Sequence, residues 1–521
     1  MTLAVPLLCV GVWFVLFSLQ RYGLRHVTLG EWSVSMRLGV ITAETMSWNE
    51  WPSSIVEPWL RSAYRAWASA WYDVGTATAG LAMAGTVALM AITCAQVLQY
   101  AFSSPSATHA LHKRVDIGTG PAISSPLWMK PMIPGWTIPW SDVPLLLIVV
   151  FLSEFVHEAG HAIAAALHRI EPEKVGLSIL FPCLPVAHVM LPDRLALPRI
   201  HLARVISAGV WHNAVLVIVC VLIQWVGSLF LTDAGGLVVT KIRDASLASY
   251  FSRGRTITQL NDQPLRSLTP AQRTETWLLF TEHAAEPEHG WCMDASDWSW
   301  AEPHCDSSSS LSLFATDHNV EKCMDPMAVM TESRPRCLST KQCGQAVCIR
   351  PAISAPLARV YTSSDDMVVL RGSLRSLRTS MSLTQQQLGG PFRYILSASL
   401  RTWLVQRLHT LLSFFIMVNM ALVGWNMLPL PFLDGSAYLR LVLVEYFARQ
   451  DDRVSPSYMA ESDDEEETLE ASSTEHTVLA AHVRSLMKLC ERGVLLLTGT
   501  ALIGSIWVTL SIVSHSSIYS H

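Results

Sequence analysis

The stretch VPLLLIVVFLSEFVHEAGHAIAAAL, residues 143–167, decides how the rest of the chain is read. It exceeds the ~20 apolar residues that a bilayer core requires. Yet it holds Glu154, His157, Glu158 and His161. An ionisable side chain at mid-bilayer costs about 2.5 kcal/mol or more, so such groups mark a functional site by default. Three of them spell His157-Glu158-Ala159-Gly160-His161, the H-E-x-x-H pattern. Helical positions four apart share a face, so both imidazoles reach one metal ion. Glu158, beside the first histidine, faces the attacking water as general base. The competing reading is two structural histidines bonded to neighbouring carbonyls. Glu154 shares the histidine face; it either orients an imidazole or lies at the helix's polar end.

Further apolar runs cover 3–19, 74–102, 205–231, 403–430 and 494–513. With the first stretch they predict about six transmembrane helices in a mainly α, polytopic membrane protein whose first partner is the lipid bilayer. Composition agrees: 50% of residues are apolar, 15% are charged and the mean hydropathy is +0.32. Soluble domains carry roughly 25% charged residues. A net charge of −5 gives no basic patch, so direct nucleic-acid binding is excluded, as are a disordered chain and a disulfide miniprotein. At roughly 100–200 residues per domain, 521 residues allow two to four units. Residues 1–19 read as an uncleaved anchor; a cleaved signal peptide is the alternative, without a basic start or a small-x-small site. Residues 20–73 read as an interfacial amphipathic segment. Trp59, Ala63, Trp67 and Trp71 repeat every four residues there, with Arg61 and Arg65 on another face, and indoles favour the headgroup region. A soluble helix packing that stripe on a neighbour is the alternative. Residues 74–102 read as one span or a hairpin.

Residues 232–402 form the large polar segment. Cys292, Cys305, Cys323, Cys337, Cys343 and Cys348 lie within it, and an even number in a short stretch predicts disulfides and an oxidising, extracytosolic side. The alternative is a zinc module on Cys343 and Cys348 with His289 or His304, at a spacing that fits C-x2-C pairs poorly. Loops 168–202 and 436–490 then face the cytosol, and their Arg and Lys residues obey the positive-inside rule. Seven acidic positions in 461–470 make 447–490 an acidic, irregular linker before a last span at 491–514.

A hydrolytic zinc site needs a third protein ligand and an open position. The candidate is Asp434 in Asn426-Met427-Leu428-Pro429-Leu430-Pro431-Phe432-Leu433-Asp434-Gly435. Two prolines break a helix there, and irregular backbone at membrane depth is tolerated only against protein or a wet cavity. An interfacial Asp-Gly turn is the bland alternative. Ala208-Gly209-Val210-Trp211-His212-Asn213 interrupts the run before it. Gly209 permits close helix contact, Asn213 offers a hydrogen bond to a substrate backbone or an oxyanion, and His212 is either an interhelical or a catalytic group.

These three motifs, in this order, resemble the site-2 protease family of intramembrane zinc metalloproteases, over about half the chain. Ala-Gly-Val-Trp-His-Asn and the Cys-rich segment resemble its membrane-bound transcription factor branch. The resemblance implies Zn2+ held by His157, His161 and Asp434, with Glu158 as catalytic acid/base and Asn213 and Asn426 holding substrate, on a three-helix core spanning 143–231 and 403–446. It implies as partners single-pass membrane substrates, tethered transcription factors already trimmed in the lumen, and a Golgi or endoplasmic reticulum membrane. Residues 252–265 resemble a PDZ stretch in which Arg255 and Asp262 replace the usual Asp and Gly. An extracytosolic PDZ-like α+β domain with a Cys-rich insertion is therefore expected, against a plain β-rich loop. Two other classes remain: an inactive membrane-helix-binding scaffold, against which an intact Glu158 argues, and a metal transporter, for which a repeat of halves is missing.

Overall fold

The computed structural model describes parts of 11–18 and then 26–102, 132–454 and 465–518, with short gaps inside these ranges. The described residues form two compact units. One comprises the described residues up to 223 and from 411 onward, the other those of 224–410.

The first unit opens with strands: β1 (His26–Leu29), β2 (Trp32–Arg37) and β3 (Val40–Thr45). Helix α1 (Trp51–Leu60) and the 39-residue α2 (Tyr64–Phe102) follow. This revises the reading of 20–73 as an amphipathic segment. Trp59 lies on α1, whereas Trp67 and Trp71 lie on α2; Arg61 and Ala63 lie outside the described residues. Helix α2 is continuous, which replaces the hairpin reading of 74–102. At 1.5 Å per residue it is about 58 Å long, well beyond a bilayer core.

Helix α3 (Val143–Ala166) carries Pro144 in its first turn, where a missing N–H costs nothing. Strands β4 (Lys174–Leu180) and β5 (Leu184–Met190) follow, within the segment read as the loop 168–202. These strands join the N-terminal ones in an antiparallel sheet of order β1-β2-β3-β4-β5. Its register puts Ser33, Glu44, Gly176 and His188 in one cross-strand row. Side chains alternate between faces. Ser33, Ser35, Thr42, Glu44, Lys174, Ser178 and His188 therefore share a polar face, while Val34, Ile41, Ala43, Val175, Leu177 and Val189 share an apolar one. On the polar face Lys174 bonds Glu44 at 3.1 Å and Thr42 bonds Ser178 at 3.1 Å. Burial would raise the Glu44 pKa, but Lys174 and His188 outweigh it and hold the carboxyl below its usual value.

Helix α4 (Arg199–Ser228) leads into the second unit. There β6 (Leu231–Ile242), β7 (Thr256–Leu260) and β8 (Gln263–Pro264) precede α5 (Pro270–Glu282). A separate sheet comes next, built from β9 (Gly290–Met293), β10 (Ser312–Thr316), β11 (Glu321–Met324), β12 (Arg336–Cys337) and β13 (Val347–Pro351). Strands β14 (Leu357–Thr362), β15 (Met367–Arg371) and β16 (Met381–Leu388) return to the first sheet. Its order is β15-β14-β7-β6-β16, with β8 on β7. The six cysteines pair as Cys292–Cys343, Cys305–Cys323 and Cys337–Cys348, which leaves no thiolate for a zinc module.

Arg255 and Asp262 each form ion pairs here. Arg255 bonds Asp366 at 3.0 Å. Asp262 accepts from Arg336 at 2.6 Å and from the buried Arg359. Both guanidiniums lie on the fully buried Trp291, 3.9 and 4.9 Å from its ring centre. Asp262 thus latches the disulfide-bonded sheet to β14. Asp262→Ala should leave Arg359 buried without a counter-charge and destabilise this unit by about 1–3 kcal/mol. Limited proteolysis should then nick residues 290–351 faster; an unchanged rate would dismiss the latch.

The chain re-enters the first unit along α6 (Ala398–Asn426) and continues through α7 (Asp434–Val454) and α8 (Glu465–Ile518). Glu465, Glu466, Glu467 and Glu470 are helical, not part of an irregular linker; 455–464 lies outside the described residues. Among the described residues five helices are long and apolar enough to cross a membrane: Tyr64–Phe102, Trp140–Ala166, Arg199–Ser228, Ala398–Asn426 and His482–Leu510. Most of the expected anchor at 1–19 lies outside the described residues.

Candidate metal centre

His157 and His161 stand one turn apart on α3 with their Nε2 atoms 3.1 Å apart. Asp434, the first residue of α7, brings Oδ2 to 3.1 Å from His157 Nε2 and 3.2 Å from His161 Nε2. Three ligand atoms on a tetrahedral zinc at 2.0–2.1 Å lie about 3.3 Å from one another. The observed triangle matches that edge. Asp434 Oδ2 is buried without a hydrogen-bond donor, and an unpaired buried carboxylate oxygen is costly. A cation at the centre of the triangle satisfies all three atoms at once.

Helix α4 sets both rings. His161 Nδ1 lies 2.8 Å from the Val205 carbonyl, so Nδ1–H donates and Nε2 keeps its lone pair for a metal. His157 Nδ1 lies 3.2 Å from the Asn213 amide. Amide oxygen and nitrogen are assigned from such networks, and a ligating Nε2 requires Nδ1–H to donate to the Asn213 oxygen. Asn213 is fully buried. It sits against His157, placed to orient that ring. Between Val205 and Asn213, four residues from each, lies Gly209. A Cβ there would stand 2.4 Å from His161 Nε2 and 2.6 Å from His157 Nε2. Gly160 makes the reciprocal approach, 2.7 Å from the Ala208 carbonyl on the same measure.

Asp434 is delivered by the Pro429/Pro431 break. Prolines cannot continue α6, and Phe432 adopts a left-handed φ of 72° that turns the chain into α7. Gly435 is required beside the ligand, since a Cβ would come within 2.4 Å of the Met427 and Leu428 carbonyls.

Glu158 Oε2 accepts the Val189 backbone N–H at 2.9 Å. Strand β5 is a sheet edge, so Val189 has an outward N–H with no strand partner, and it fixes the Glu158 carboxylate next to the histidines. His212 resolves as an interhelical group: its Nε2 meets the Tyr72 hydroxyl at 3.2 Å, with the rings stacked. Glu154 is half-buried and makes no hydrogen bond among the described residues. Asn426 ends α6, half-buried and without a side-chain partner among them. Sequence reasoning missed the Val205 carbonyl and the Val189 N–H, because backbone groups leave no residue-type signal. It also missed Tyr72.

Two imidazoles, one carboxylate and an adjacent carboxylate base, set among apolar helices, define a metallopeptidase-type centre in a membrane protein. A family model for peptidase family M50 matches residues 145–458, more than half of the chain, and the chain belongs to that family of metalloproteases. It is similar to the membrane-bound transcription factor site-2 protease homolog of Arabidopsis thaliana, with 33% identity over 136 residues. That match covers 25% of this chain and 26% of the relative, so the chain aligns with about a quarter of that relative's length.

Proposed function

We propose that the protein is an intramembrane zinc endopeptidase of the site-2 type, cutting the transmembrane helices of membrane-tethered, pre-trimmed transcription factors. The observation that carries this reading is the ligand triangle of His157, His161 and Asp434 with Glu158 beside it. The relative's name supports the substrate class. When bound there, zinc supplies Lewis acidity, polarising a scissile carbonyl and acidifying water. Glu158 takes the proton of the attacking water and returns it to the leaving amine. Asn213 and Val205 keep the imidazoles turned toward the ligand position. A substrate helix has its carbonyls occupied by i→i−4 bonds, so it must unwind locally before cleavage. The three disulfides favour a luminal second unit, in a Golgi or endoplasmic reticulum membrane, where it would hinder access by uncut ectodomains.

Asp434→Ala tests the ligand set. Purified full-length protein should fall from about one bound zinc per chain to near none, and cleavage of a tethered reporter should be lost with it. Unchanged zinc would exclude Asp434 as a ligand.

A further inference from the structure

Asp434 begins its helix, so no preceding helical turn fixes it, and its Oδ2 has no hydrogen-bond donor. Its position depends on what anchors the first turns of α7. One turn on, the Tyr438 hydroxyl donates to the Thr76 carbonyl of α2 at 3.0 Å. That carbonyl lies within a continuous helix and has a second lone pair to offer. The approach is open because residue 80 is glycine: a Cβ there would stand 3.0 Å from the Tyr438 oxygen. The same face of α2 also grips α4. Thr76 Oγ1 meets Ser207 Oγ at 3.0 Å, Gly75 accepts the Trp211 ring where a Cβ would clash at 2.7 Å, and Tyr72 reaches His212. Ala79 and Met427 pack in the same buried cluster as Tyr438. A single face of α2 therefore touches the helix that orients the histidines and the helix that carries the carboxylate. Helix α2 lies outside the segment matched by the family model.

We infer that Tyr438 is a positioning residue for the metal centre: its hydroxyl, seated on Thr76 over Gly80, sets where Asp434 meets His157 and His161. This rests on the metal-site reading proposed above. A tether beyond the ligand shell typically governs about 10–100-fold in metal affinity, because it fixes where the ligand atom sits without adding a bond to the metal. A second tether, Ser436 Oγ on Glu491 of α8 at 3.0 Å, holds the opposite side of the same turn and keeps α7 folded when the first is cut.

The experiment measures zinc affinity of the full-length protein by competition with a chelator of known affinity, alongside helicity and thermal melting of the zinc-stripped form. Tyr438→Phe should weaken zinc binding about 10-fold with helicity and melting unchanged, a split that a merely structural role would not produce. Gly80→Ala should weaken it further than Tyr438→Phe does, by pushing on the hydroxyl. The double variant Gly80→Ala/Tyr438→Phe should return to the level of Tyr438→Phe alone, because the oxygen that the new methyl strikes is gone. Wild-type affinity in Tyr438→Phe, or a double variant no better than Gly80→Ala, would overturn the inference while leaving the metal site intact. A wild type that binds no zinc would overturn the metal-site reading, and this inference with it.

Discussion

Gly209→Ala should empty the metal site without removing a ligand. In an ordinary helix this exchange stabilises by about 1 kcal/mol, so any loss measures what the missing Cβ protects. The new methyl would stand 2.4 and 2.6 Å from the two Nε2 atoms, where ordinary contact begins at 3.4 Å. Relief requires a shift of about 1 Å, of the rings or of α4. Neither is free. The rings are held by Val205 and Asn213, one helical turn to either side of Gly209, so α4 cannot retreat without releasing both imidazoles. Turning the rings instead takes the lone pairs away from Asp434. Bound zinc should fall by more than about 100-fold in affinity, with helicity retained. Gly227→Ala is the control on the same helix, since nothing lies within 4 Å of its added Cβ; it should bind zinc normally. Wild-type zinc in Gly209→Ala would show that α3 and α4 do not approach as described.

The candidate site stands out in the sequence because of its surroundings: in a run the bilayer would strip of charge, His157, Glu158 and His161 are conspicuous, and the proline break flags Asp434, whose carboxylate the structure brings to both imidazoles. Gly209 was legible as a close-contact residue, but not that it faces the Nε2 atoms, since that needs the α3–α4 register. The β-sheet was not read at all. Its period-2 alternation in 26–45 is present, but the partner of β3 is β4, some 130 residues away. Tryptophans nearby gave a louder four-residue repeat, which the structure distributes over α1 and α2. Asn213 reads toward substrate because its residue type suits an oxyanion; its contact with His157 Nδ1 needs the α3–α4 register and has no sequence signal. Asp262 showed only as a departure from a pattern, and its two arginines come from β12 and β14, far along the chain.

Glu158→Gln separates the catalyst from a mere binder of metal and helices. The substitution keeps shape and an amide oxygen that still accepts the Val189 N–H, so the side chain stays where the carboxylate was. It leaves His157, His161 and Asp434 untouched, and bound zinc should remain near the wild-type level. What it removes is a group able to take a proton from water and give it to the leaving amine. General acid–base catalysis is worth about 10²–10⁴-fold, and here one residue performs both transfers. Single-turnover cleavage of a tethered reporter should therefore drop by at least about 10³-fold while the substrate still co-purifies. Glu158→Asp retains the acid but shortens the side chain by one methylene, pulling the oxygen off Val189. Its rate should lie between the two, because a correctly basic group in the wrong place forfeits alignment rather than chemistry. Full cleavage by Glu158→Gln would remove Glu158 from the mechanism. Undetectable cleavage by the wild type with substrate still captured would establish the scaffold reading instead.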